Sequence, residues 1–206
     1  NPEDNLIRIN NVAEVTTDTM SRDDNQFSGA LGIAAGNGGY LGNMFEFNNY
    51  VTLHGVYFVY ENNMCDPNPP NACSLDGETI QIDVFEIDNL SGLPDVMVAS
   101  TEAHVVPAGS SDFTDPTVIF SAPLNLDPGQ YVFAVAEPIR TTSTFHTVNV
   151  QLKTSESRFT PGTSWINWPT IPNNQWDNVE DFGFNVTFLI RPLFLDTDVI
   201  YQAGFE

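Results

Sequence analysis

The stretch FGFNVTFLI, residues 182–190, decides the fold class. Phe182, Phe184, Val186, Phe188 and Ile190 recur at every second position, with Gly183, Asn185 and Thr187 between them. In an extended chain successive side chains point to opposite faces, so this spacing predicts a strand with one buried face. TIQIDVFEI, residues 79–87, repeats the pattern, with Ile80, Ile82 and Val84 opposing Thr79, Gln81 and Asp83. VTLHGVYFVY, residues 51–60, is apolar and aromatic on both faces after Gly55, as in a central strand or one bulged at that glycine. QYVFAVAE, residues 130–137, follows Asp127, Pro128 and Gly129. That tripeptide is a turn in which proline presets one torsion and glycine accepts a positive one, and it launches a core strand.

Outward from these four, weaker strand candidates lie at residues 6–9, 12–16, 44–47, 96–104, 118–121 and 145–152. No segment carries a convincing helical period. Some ten short strands separated by Gly, Pro, Asn and Asp clusters predict an all-β antiparallel sandwich or barrel without substantial helix. No linker or second hydrophobic register divides the chain. The expected organisation is an N-terminal arm over residues 1–35 with one or two strands, a β-sandwich domain over 36–193, and a C-terminal tail over 194–206.

Composition limits the partners. Six Lys and Arg against 27 Asp and Glu give the 206 residues a net charge of −21. Such a chain repels phosphate, so nucleic acid and anionic membrane are poor partners. No apolar run reaches the roughly 20 residues that cross a bilayer, so no membrane-spanning segment is expected. The chain starts at Asn1 without a basic apolar leader, and Lys153 is its one lysine. A soluble, secreted protein with its signal peptide removed is expected, extracellular or at the cell surface. The loop CDPNPPNAC places Cys65 and Cys73 close together among turn residues. In an oxidising compartment they are placed to form a disulfide, and a metal site would want more Cys or His nearby.

The order of these signals resembles bacterial secreted jelly-roll domains of the choice-of-anchor or carbohydrate-module-like kind found in surface proteins. The matching pieces are GNGGYLGNMFEF, VTLHGVYFVY, GETIQIDVFEIDNLSGLPD, PLNLDPGQYVFAV, GTSWINW and VEDFGFNVTFLI, spanning residues 36–190. The resemblance implies a jelly-roll-like β-sandwich and a non-catalytic role in adhesins, exported enzymes or surface assemblies.

Catalytic motifs are missing from the sequence: it contains no G-x-S-x-G elbow, no H-E-x-x-H and no phosphate-cradling G-x-x-x-x-G-K. His54, His104 and His146 fall in three different strand candidates and read as ordinary imidazoles. Carboxylate-rich loops offer oxygen ligands for a structural Ca²⁺, with Asp66 and Asp76 near the cysteines and Asp177 and Asp181 before the last long strand as candidate ligands. No other cofactor is required. Trp165, Trp168 and Trp176 crowd into SWINWPTIPNNQW. Exposed indoles there would make a platform for sugar rings; packed indoles would cap the sandwich or pair across strands.

The expectation is therefore a protein that is not an enzyme, with a structural or adhesive role at the cell surface, self-assembling with other copies through terminal strands. The alternative is a carbohydrate-binding module that takes extracellular glycans on the Trp-rich loop. A glycosidase, which needs two carboxylates across a cleft, is the third reading.

Overall fold

The computed structural model describes residues 13–15, 18–61, 75–108, 113–114, 116–137, 149–168 and 175–195. Along them run β1 (Glu14–Val15), β2 (Met20–Ser21), β3 (Gly29–Leu31), β4 (Gly39–Phe47), β5 (Val51–Phe58) and β6 (Tyr60–Glu61). Then come β7 (Thr79–Ile87), β8 (Pro94–Ser100), β9 (His104–Val105), β10 (Phe113–Thr114), β11 (Thr117–Leu126) and β12 (Gly129–Glu137). The chain closes with β13 (Gln151–Ser155), β14 (Ser164–Asn167), β15 (Trp176–Asn178), β16 (Thr187–Phe188) and β17 (Ile190–Phe194). The fold is all-β and sandwich-like, as the alternating pattern predicts.

The largest sheet runs β15-β14-β4-β12-β7-β8, with β9 also on β7. Opposite lie β11-β5-β17 and the sheet β10-β6-β13-β16 with β3 on β13. These two smaller sheets are stitched at one corner. Val59 separates β5 from β6 and Leu189 separates β16 from β17, and three backbone bonds close the corner: Val59 N to Leu189 O, Lys153 N to Val59 O and Leu189 N to Lys153 O, each 3.0 Å. The chain changes sheet at those two residues without leaving a backbone donor unpaired.

Alternation builds the core. Leu41, Phe45 and Phe47 of β4, Ile80, Ile82 and Val84 of β7, and Tyr131, Phe133 and Val135 of β12 point inward. They join Leu53, Val56 and Phe58 of β5 and Phe188, Ile190 and Phe194 of the opposite layer in one cluster. At about 1.5–3 kcal/mol for each large side chain removed from water, this layer supplies the main driving force.

One expectation is corrected. FGFNVTFLI is not one strand: Val179–Phe182 forms a one-turn 3₁₀ helix closed by Gly183 at φ 87°. A left-handed residue turns the chain and breaks the two-residue period, which glycine alone does without strain. Phe182 and Phe184 are thereby left 41% and 45% exposed, and strand resumes only at Thr187. Within residues 1–35, the described part makes these contacts with the rest of the chain. β3 pairs with β13, Phe194 N bonds Asp18 O, and Arg22, Asp23 and Ile33 are buried. The terminal segments 1–12 and 196–206, to which self-assembly was assigned, lie outside the described residues.

Candidate functional site

The outer face of the seven-stranded sheet carries a second apolar cluster. Met44, Phe85, Ile87, Val132, Ala134, Trp165 and Trp176 pack there, with Tyr40 and Leu93 against them. The antiparallel registers explain how. One row crosses the sheet as Asn178, Trp165, Gly42, Ala134, Asp83 and Ser100; its neighbours run Met44, Val132, Phe85, Met97 and Trp176, Asn167, Tyr40, Ala136, Gln81. Residues on one row of a pleated sheet share a face, so side chains far apart in sequence meet. Gly42 and Ala134, the smallest residues of the first row, sit at its middle, and Trp165 stands across the ladder from Gly42.

Three rings form a triangle on this face. Tyr40 and Phe85 lie 5.1 Å apart edge to face, Phe85 and Trp176 5.0 Å, and Tyr40 and Trp176 5.6 Å. The phenol of Tyr40 bonds the carboxylate of Asp83, and burial, then that carboxylate, raises the phenol above its usual range. Ser100 Oγ donates to Asp83 Oδ1 at 2.6 Å. Trp165 Nε1, an indole donor on a residue 5% exposed, and Asn178 Oδ1, an amide acceptor, are both buried and without a partner. Asn178 is the cross-strand partner of Trp165, so the free donor and free acceptor belong to one row. Both atoms are shut off from solvent, so a hydroxyl that accepts and donates at once would satisfy them only where the side chains over them move aside.

The expected platform of three exposed tryptophans is not formed. Trp165 and Trp176 are 5% and 9% exposed, packed into the outer cluster. Trp168 lies three positions beyond Trp165 along an extended segment, and an odd offset points it to the opposite face. It packs instead on the inner core, 6.5 Å from the ring of Phe182. Treating SWINWPTIPNNQW as loop hid this, because β14 pairs with β4 through Asn167. Tyr40, Phe85 and Asp83 were missed: each is ordinary strand sequence, and only the register brings them beside Trp165 and Trp176.

Of the carboxylates expected as Ca²⁺ ligands, the structure describes Asp76, Asp177 and Asp181. Asp177 on β15 and Asp181 in the 3₁₀ turn share a hydrogen bond that, with burial and the charges of Asp177 and Glu180, raises the carboxyl of Asp181. Asp76 sits in the turn before β7, four strands away in the sheet order. Asp66, Cys65, Cys73 and His146 lie outside the described residues. Among the described residues no group of three His, Cys, Asp or Glu is placed to hold a metal. His54 Nδ1 meets Phe194 O at 3.0 Å, and His104 Nε2 meets the hydroxyl of Tyr60 at 3.1 Å.

No family model matches the chain, and no curated protein matches it. Among solved structures it is similar to a clostridial cysteine protease, Cwp84 after propeptide cleavage, at 15% identity with a TM-score of 0.53. The match covers 79% of this chain and 37% of that one, so the chain spans well under half of the protease structure. At this identity the likeness shows the fold alone. That protein is an enzyme, so the likeness runs against the expectation that this chain is not one, without giving this chain an activity.

Proposed function

We propose that this chain is an adhesive module of a secreted or cell-surface protein, and that it holds extracellular glycan on the outer face of its large sheet. The observation that carries the reading is one row of that face: Trp165 Nε1 and Asn178 Oδ1 without partners, beside the rings of Tyr40, Phe85 and Trp176 and the carboxylate of Asp83. Sugars present apolar C–H faces and hydroxyls together, and that mixture matches aromatic rings bordered by one donor and several acceptors. The acidic surface directs the choice toward neutral or cationic saccharides, since sulfated and uronic chains would meet a net charge of −21. Export is supported by the single lysine and the close cysteine pair.

A panel of immobilised glycans tests this with the full chain, the Tyr40→Ala variant and the Asn178→Ala variant, folding being checked by circular dichroism. Binding to at least one neutral glycan, weakened about tenfold or more in both folded variants, is the expected result. An empty panel, or variants that bind as the parent does, sinks the reading.

A further inference from the structure

The loop that leads into β4 reads Gly36, Asn37, Gly38, Gly39, and Asn37 with Gly38 is the chain's single Asn-Gly pair. In such a pair the backbone nitrogen after the asparagine is open to its side-chain carbonyl carbon, because glycine has no Cβ to screen that nitrogen. A ladder hydrogen bond or a helix would hold the two apart. Neither protects this pair. Asn37 and Gly38 lie in no strand or helix, and among the described residues no acceptor takes the Gly38 N–H. Asn37 is half-buried, and its Nδ2 reaches Ala34 O only at 3.5 Å, the outer limit of a hydrogen bond.

We propose that Asn37 is a site of spontaneous deamidation, with water as the co-reactant. The Gly38 nitrogen bonds to Asn37 Cγ, the bond from Cγ to Nδ2 breaks, and ammonia leaves with the proton that the Gly38 nitrogen gave up. The cyclic imide then takes up one water. Opening at Cγ leaves an aspartyl residue, and opening at the main-chain carbonyl leaves an isoaspartyl residue whose backbone runs through Cβ. Either product carries a carboxylate where the chain had a neutral amide.

The surrounding bonds say what this does to the fold. Asn37 O accepts from Asn149 Nδ2, and the Asn149 side chain also bonds the buried Glu137, which holds the N–H of Ile33. Position 37 is thus tied to the segment after β3 and to the one that enters β13. On its other side Gly39 has no room to give, since a carbon added there would stand 2.2 Å from Asn167 O. An isoaspartyl link adds one carbon to the main chain between these two fixed points and draws the acceptor away from Asn149. Its carboxylate also joins the Glu137 network in a chain already at −21. The clasp is lost. This goes beyond the glycan reading, and the measurements below do not involve a glycan.

The full chain is kept at neutral pH and body temperature for weeks and followed by intact mass and peptide mapping, beside Gly38→Ala. That variant leaves Asn37 in place and screens the attacking nitrogen; Gly38 is not among the glycines at positive φ, so alanine suits its backbone. The parent is expected to gain the mass difference between an amide and an acid, located at Asn37 and mostly isoaspartyl. The gain is expected to quicken as pH rises, because the attacking nitrogen must give up its proton, and to be several-fold slower in the variant. The deamidated fraction, separated by its extra negative charge, is expected to melt about 3 °C or more below the parent. No mass gain at Asn37 overturns the proposal, and so does an equal rate in Gly38→Ala. Equal melting of the two forms overturns the clasp.

Discussion

Asp23 and Arg191, 168 residues apart in sequence, form an ion pair whose carboxylate is wholly shielded from water. Arg191 donates from Nε at 3.0 Å and from Nη2, a two-pronged contact with both carboxylate oxygens, and its guanidinium lies 5.2 Å from the centre of the Tyr57 ring. The pair ties the segment after β2 to β17, the strand that closes the smaller sheet. Removing one partner leaves the other charge poorly solvated, which is the costly way to break such a pair. Asp23→Ala is expected to lower stability by about 3 kcal/mol. The double variant with Arg191→Met should lose less than the two single losses added, by about 1 kcal/mol or more. Urea denaturation of the four proteins checks it; additive losses would mean the pair does not couple arm to sheet.

Arg22, the residue before, behaves in the opposite way. It is 2% exposed, its Nε donates to Met44 O, its guanidinium lies 5.5 Å from the Phe45 ring, and Nη1 has no partner. Burial lowers its pKa to about 10, only partly offset by the charge of Glu46. An unpaired buried cation contributes packing through its stem and costs through its head. Arg22→Met keeps the length and drops the charge, and should leave stability within about 1 kcal/mol of the parent. Arg22→Ala removes the stem as well and should cost about 2–4 kcal/mol. Thermal melts of both variants distinguish the two cases; equal losses would place the worth of Arg22 in its charge.

How much of this was legible beforehand follows from what a period can carry. TIQIDVFEI became β7 with Ile80, Ile82 and Val84 inward, and QYVFAVAE became β12, because nothing in either stretch interrupts the two-residue repeat. FGFNVTFLI carried as strong a repeat and was misread, since the repeat counts side chains and is blind to the φ of Gly183. The outer face was illegible for a different reason. Trp165 and Gly42 are 123 positions apart, and no local pattern states that they face each other across a ladder.

The same ladder sets the next prediction. A Cβ at Gly42 would stand 2.5 Å from Phe133 O and 2.7 Å from the Cα of Ala134, backbone atoms that move only if β4 and β12 part. Gly42→Ala is thus expected to destabilise by about 2 kcal/mol or more, although alanine is usually the milder residue in a strand. Denaturant midpoints measure it. A neutral or stabilising result would show that the two central strands have room to spare.

Glu137 provides the pH dependence. At the end of β12 it is 5% exposed and accepts the backbone N–H of Ile33 at 3.1 Å, with Val150 N and the side chain of Asn149 also bonded to it. It thereby holds Ile33, in the segment after β3, to the segment that enters β13. Burial disfavours the charged form more than these donors favour it, and its pKa is raised well above the ordinary 4.5. The folded chain therefore holds a proton that the unfolded chain has released. The resulting stability is complete below the unfolded value of about 4.3 and is lost as pH climbs through the folded one. Glu137→Gln keeps one acceptor and cannot titrate, so the variant should gain on the parent steadily from acid to neutral pH. Melting temperatures of the two proteins, subtracted at each pH, isolate this group from the other carboxylates. A difference that stays flat, or turns in favour of the parent as pH rises, would mean the three donors outweigh burial and hold Glu137 charged inside the fold.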